Sequence, residues 1–310
     1  MQNNKGMQVL FLGGTNRTGP YAVRHLHALG HDVTVFHRGD HEAELPAGVR
    51  HIHGDLANPP AQLMELRPDI VVHMWAMTET DALAFLELLG RRAARAVVIS
   101  SCDVYRAHGK LQRLESGPPE AIPIAEDGRL RESRYPYADR IKDPGQEWMR
   151  RYDKILVEQK LRAQTELPVT ILRYPAVYGP NDPYRRIETW VEQMKQAREI
   201  RIQEDYAQWR WTHGHVEDVG EALALAITND RAAGRVYNVG ESETPTVFER
   251  MREIGRAIGW DGAILTVPAE EMPEDQRLPY DFEHQLVIDS SRIRRELGWT
   301  DRPRTHRDKA

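Results

Sequence analysis

The chain has 310 residues, 40% hydrophobic and 29% charged, enough to bury one large domain or a core domain carrying a smaller lobe, and not the composition of a disordered protein. A formal net charge of −5 gives no basic field for nucleic acid, and no apolar run approaches the roughly 20 residues that cross a bilayer, so neither nucleic acid nor membrane is an expected partner. The single cysteine, Cys102, cannot form an intrachain disulfide, "MQNNKGMQ" lacks the basic end and apolar run of a signal peptide, and a cytoplasmic location is expected.

The stretch "MQVLFLGGTNRTGPYAVRHLHALGHDVTVFHRG" reads as strand, glycine turn, amphipathic helix and second strand, one βαβ unit. Gly13 and Gly19 end a GxxGxxG spacing in which Asn16 takes the middle place, with Thr15, Arg17 and Thr18 completing the turn. Glycine permits the tight turn and the close approach of a pyrophosphate to the next helix N-terminus. Asn tolerates a left-handed backbone better than most residues and is expected to keep the turn. At the end of the second strand, His37 and Arg38 stand where an acid would bind ribose hydroxyls, so NADP is favoured over NAD. Arg17 is a candidate for a second positive charge there, able to stack on adenine. Asp55 in "GDLAN" is suited to accept from the adenine amino group.

Further strands are predicted at "VRHIHGD", "DIVVHMW", "RAVVISS" and "PVTILRY", with helices at "TDALAFLELLGRRA" and "EWMRRYDKILVEQKLRAQ". This alternation predicts an α/β fold, a Rossmann-like doubly wound parallel sheet with helices on both faces. The Pro-rich, charged "ESGPPEAIPIAEDGRLRESRYPYADRIKDPGQ" reads as a long loop near the site. Its arginines, and those of "WMRRYDK", read as solvated faces or as a phosphate-receiving pocket. After "YGPNDP" the alternation stops, and helices and short strands of a smaller C-terminal α/β substrate lobe follow. The division is therefore 1–180 for the dinucleotide-binding domain, with 213–240 returning to it, and 181–310 mainly for the substrate-binding lobe.

Helix geometry bears on "RRYDKILVEQKL". At about 100° per residue, Arg150, Lys154, Glu158 and Leu161 share a stripe, and Tyr152 falls roughly 160° from Lys154. Tyr152 then groups with Trp148, Ile155, Leu156 and Gln159 in a packing stripe; only a π-bulge or a later helix start would turn it toward Lys154. "HIH" at 51–53 and "HGH" at 213–215 have no cysteine or carboxylate set at metal-ligand spacing, so they read as structural and no metal is expected. Cys102 has no paired base and reads as packing.

From about Met7 to Trp299 these stretches together resemble the extended short-chain dehydrogenase/reductases, the NAD(P)-dependent epimerase/dehydratase family. "VVISSCDVY" resembles the strand that ends in the catalytic hydroxyl, which maps onto Ser101, and "YPAVYGP" resembles the segment lining nicotinamide and substrate. "HVEDVGEAL", "GRVYNVG" and "SSRIRRELGW" resemble later landmarks, and the glycine turn resembles the atypical branch, in which that motif or the Tyr-Lys pair is altered. The resemblance adds Leu56, Ala76, Tyr174, Pro175 and Val177 to the cofactor-binding set and gives Lys154 the nicotinamide ribose. It also implies a tyrosine four residues before the lysine as the proton-transfer group, where this chain has Arg150. A guanidinium stays protonated and cannot serve. Tyr105, Tyr178, Tyr135 and Tyr137 are the phenols available from loops; Tyr137, whose loop leads into the lysine helix, is preferred, so the catalytic set is Ser101, Lys154 and Tyr137. The implied reaction is epimerase, dehydratase or reductase chemistry on a nucleotide sugar or similar polar carbonyl or alcohol, by a homodimer paired through the lysine helix. Arg185 and Arg186 would suit a diphosphate, although surface solvation is the plainer role for each. The alternative is a catalytically silent dinucleotide-binding regulatory or RNA-associated scaffold, favoured by Arg150 and disfavoured by Ser101, Lys154 and, for RNA, the acidic charge.

Overall fold

The structure, a computed structural model, describes residues 6–141 and 144–302. In chain order its elements are β1 (Gln8–Leu12), α1 (Gly19–Ala28), β2 (Asp32–His37), β3 (Arg50–His53), α2 (Ala61–Glu65), β4 (Ile70–His73), α3 (Glu79–Leu89), β5 (Arg95–Ser101) and α4 (Arg106–Leu111). There follow α5 (Lys154–Ala163), β6 (Val169–Tyr174), β7 (Ala176–Tyr178), α6 (Glu188–Gln196), β8 (Glu199–Gln203), α7 (Glu204–Gln208), β9 (His213–His215) and α8 (Val216–Thr228). The last are β10 (Val236–Asn238), α9 (Val247–Ile258), β11 (Ala263–Val267) and α10 (Ser291–Leu297).

Seven strands form one parallel sheet in the order β10-β6-β5-β4-β1-β2-β3, the doubly wound arrangement expected from the alternating pattern. Both faces are covered, so the strands are almost continuously apolar. Val9, Phe11, Val33, Val35, Val97 and Ile99 point to the face packed by α1, α8 and α10. Leu10, Leu12, Phe36, Ile52, Val71 and Val98 point to the face packed by α3 and α5. The order reverses between β4 and β2 at β1, which opens a crevice at the carboxyl ends of the strands. A separate core joins Cys102, Val104 and Tyr105, just beyond β5, to residues of α6, α7, α9 and the 282–288 segment. The smaller lobe is thus anchored where β5 ends, with β8 and β11 pairing parallel inside it.

One predicted helix divides. Residues Pro144–Arg151 form 3₁₀ turns, Tyr152 pairs with Thr78 in an antiparallel bridge, and α5 starts only at Lys154. Asp153 causes the break: its backbone is extended (φ −159°, ψ 105°) and its carboxylate accepts the Ile155 N–H at 2.9 Å, the work of an N-cap. Among the described residues no helix is long and apolar enough to cross a membrane.

Candidate active site

The glycine turn closes on itself. Gly13 and Gly14 have φ of 87° and 102°, and a Cβ on Gly19 would come within 2.5 Å of Gly14 Cα. The left-handed non-glycine residue in the turn is Arg17 (φ 51°), not Asn16 as the motif suggested; Asn16 instead accepts the Arg17 N–H on its side chain at 2.8 Å. Side-chain-free backbone followed by the first turn of α1, with Thr18 buried beside it, fits a dinucleotide pyrophosphate.

Arg17 also departs from its expected role. Its guanidinium donates to Val177 O at 2.9 Å and lies 3.8 Å from Asp182, so it joins the turn to the "YPAVYGP" segment rather than to Arg38. Arg186 shares both partners, Val177 O at 3.1 Å and Asp182 at 2.6 Å, and stacks over Tyr184; it is not the solvated arginine anticipated, whereas Arg185 is exposed against Glu192. Arg38 is on the surface beside Asp40 at 2.9 Å, and Asp55 caps its own turn through the Ala57 N–H. Ala76, Tyr174, Pro175 and Val177 are buried around the carboxyl ends of the sheet, and Leu56 is half-buried.

The candidate catalytic groups gather at the end of β5. Ser101 Oγ accepts the Asp103 N–H at 3.2 Å, which turns the chain and buries the Asp103 carboxylate. Asp103 Oδ2 accepts two phenols, Tyr152 at 2.7 Å and Tyr137 at 3.1 Å, and the Tyr137 hydroxyl also meets His108 Nε2 at 3.3 Å. Lys154 Nζ donates to Ala76 O at 2.7 Å and Ile99 O at 3.0 Å, and stands 5.8 Å from the Tyr152 ring centre. Burial draws this ammonium down to about 8. Burial and the Asp103 charge hold both phenols well above their ordinary value, with the Ser101 hydroxyl pulling Tyr152 the other way; burial takes His108 down to about 4.

Tyr152 is therefore inside the site, and its placement on the far side of a helix is corrected: it precedes the helix, so the 100° rule does not reach it. Arg150 is exposed and paired with Glu147 at 2.8 Å. Of the other phenols, Tyr105 is buried in a bond to Asn238 with Arg173 donating to it, Tyr178 packs against His213 and His215, and Tyr135 is exposed. Burial raises the Cys102 thiol to about 12, consistent with a packing role. Glu158 is buried in a two-pronged pair with Arg173 (2.6 and 2.9 Å) and accepts from Ser100.

Sequence reading missed Asp103, His108 and Arg131. Asp103 was in view, two residues past Ser101 in "SSCDVY"; Asp153 before the apolar "KILV" was a helix-start signal. Nothing local marks Arg131, which reaches from the long loop to Asp103 O at 2.5 Å and lies 3.6 Å from Asp153. "HIH" is likewise not isolated: His37 from the adjacent strand and Glu42 from a loop join it, partners that linear spacing conceals.

Residues 149–240 match the NAD dependent epimerase/dehydratase family. The 2'-dehydrokanamycin reductase of Streptomyces kanamyceticus is 27% identical over 274 residues, covering 85% of this chain and 70% of that protein. A 3-diazoavenalumate denitrifying reductase of a Streptomyces species is 26% identical, covering 94% and 95%. The crystal structure of UDP-glucose-4-epimerase from Stenotrophomonas maltophila, with bound NAD and formylated UDP-arabinopyranose, shares the fold at a TM-score of 0.72 and 21% identity, over 98% of this chain and 95% of that one. Residues 149–240 are thus similar to the NAD dependent epimerase/dehydratase family, and the whole chain shares the fold of the epimerase structure.

Proposed function

We propose that the protein is an NADP-preferring oxidoreductase acting on a polar carbonyl or alcohol, a nucleotide sugar or a compound of similar polarity, and that Tyr152 and Asp103 together replace the missing tyrosine of the Tyr-Lys pair, with Lys154 retained. The observation that carries this reading is the 2.7 Å bond from Tyr152 to Asp103, beside Ser101 and buried Lys154. The nicotinamide cofactor, when bound, supplies or accepts hydride. The glycine turn would hold its pyrophosphate, Lys154 its ribose, and Arg38 its 2′-phosphate.

The proton step follows from the two phenols' raised values. Tyr152 need not become a phenolate: as its oxygen takes the substrate hydroxyl proton, its own proton passes to Asp103 Oδ2, and the sequence runs backward in reduction. Ser101 holds the substrate oxygen. Tyr137 and His108 extend the chain of hydrogen bonds on the far side of Asp103.

The test is turnover with NADPH and NADH over a panel of nucleotide sugars and polar carbonyls, repeated with Asp103→Asn. The relay requires a loss of about 10²-fold or more with cofactor affinity retained. Full activity in Asp103→Asn would remove the relay, and no turnover by the parent chain would favour the silent dinucleotide-binding scaffold. NADP preference is read from tighter NADPH binding that Arg38→Asp abolishes. A homodimer through the α3 and α5 faces, where Leu83 is exposed, is part of the same reading, with light scattering as its check.

A further inference from the structure

We propose that His37, His51, His53 and Glu42 form a binding site for a divalent transition-metal ion, best suited to Zn²⁺, at the carboxyl ends of β2 and β3. Strand geometry builds it. His51 and His53 are two residues apart on β3 and so share a face; the β2–β3 register sets His37 opposite His53 and Val35 opposite His51, which brings His37 to that same face. Val35 lies under α1 in the core, and the three imidazoles continue its row past the helix, His37 buried and His51 and His53 reached by solvent. Glu42 arrives from the loop after β2.

The donor atoms already converge. His37 Nε2 is 3.1 Å from His51 Nδ1, Glu42 Oε2 is 3.7 Å from His51 Nδ1 and 4.0 Å from His37 Nε2, and Glu42 Oε1 is 2.9 Å from His53 Nε2. One ligand atom from each residue lies within 4.8 Å of all the others. Tetrahedral zinc with bonds of about 2.0–2.1 Å sets neighbouring ligand atoms about 3.3 Å apart, so an ion needs only small side-chain rotations. Three imidazoles and one carboxylate are nitrogen and oxygen donors that suit Zn²⁺ rather than Ca²⁺ or Mg²⁺. One contact has to change: Gly39 N–H donates to His37 Nδ1 at 3.2 Å, and metal on Nε2 would put the imidazole proton on Nδ1. Gly39 has φ 88° and open backbone freedom to turn away.

The inference does not depend on the proposed reaction and is tested on tag-free protein without cofactor. Zn²⁺ titration by calorimetry should give one equivalent per chain, and Co²⁺ should give the visible absorption of four-coordinate cobalt. His53→Ala and Glu42→Gln, both at exposed positions, should each weaken binding at least tenfold and lose the cobalt spectrum while keeping the parent circular dichroism. Substoichiometric binding, a six-coordinate cobalt spectrum in the parent, or unchanged affinity in folded variants would overturn the site. The parent cobalt spectrum decides even if a variant fails to fold.

Discussion

Asp103 Oδ2 receives two phenol hydroxyls at once, and the difference between them is position: Tyr152 lies beside Ser101 and Lys154, Tyr137 beside His108. Removing one hydroxyl deletes a proton path with little change in packing, so the two phenylalanine variants discriminate. In Tyr152→Phe, kcat should fall by about 10²- to 10⁴-fold. Tyr137→Phe removes one hydrogen bond to a charged group, about 1.5 kcal/mol, and should cost on the order of tenfold. Steady-state kinetics with cofactor affinity measured separately would check this; the reverse order of effects would return the role to Tyr137.

At the scale of elements, the start of α5 sets the site. If the helix ran back through Trp148, Tyr152 would face away from Lys154; because the extended Asp153 caps it, the 3₁₀ turns before it are set apart from the helix and Tyr152 reaches Asp103. Asp153 also accepts the Tyr135 N–H at 2.9 Å and lies 3.6 Å from buried Arg131, so one carboxylate ties helix, loop and site. Asp153→Ala should lose the cap, about 1–2 kcal/mol, and leave Arg131 with less compensation, for a total of several kcal/mol in urea unfolding. Asp153→Asn keeps a capping oxygen and should cost less. Equal losses in the two variants would show that capping is not what Asp153 contributes.

For the whole molecule, acid sensitivity follows from two buried histidines, His73 at the end of β4 and His108 in α4. Burial lowers His73 and His108 to about 4, against Asp81 acting on the first and Asp103 on the second. Their ordinary value is about 6.5, so as pH falls the unfolded chain takes up protons before the folded one does. The stability these groups contribute is complete above about pH 6.5 and is lost toward about pH 4; each pH unit in that window costs about 1.4 kcal/mol per histidine. Urea midpoints should therefore drop between pH 7 and pH 5, and His108→Gln should show roughly half the slope. A midpoint constant across that range would contradict the buried, neutral state of both rings.

The alternation of apolar strands with amphipathic helices, the glycine turn and the order of later motifs were readable in the sequence because each depends on near neighbours: periodicity, a tight turn, a helix start. Ser101 and Lys154 were proposed through the resemblance, and they sit at the ends of their own elements, β5 and α5. Asp153 carried a local signal too, but a continuous helical pattern from Trp148 onward outweighed it. Tertiary structure alone decided the rest. Arg17 meets Val177 across 160 residues, Tyr152 meets Asp103 across 49, and His37 meets His51 and His53 only because β2 and β3 pair in one register. Such contacts are set by how the strands stack and where the long loop folds back, and linear spacing carries no record of either.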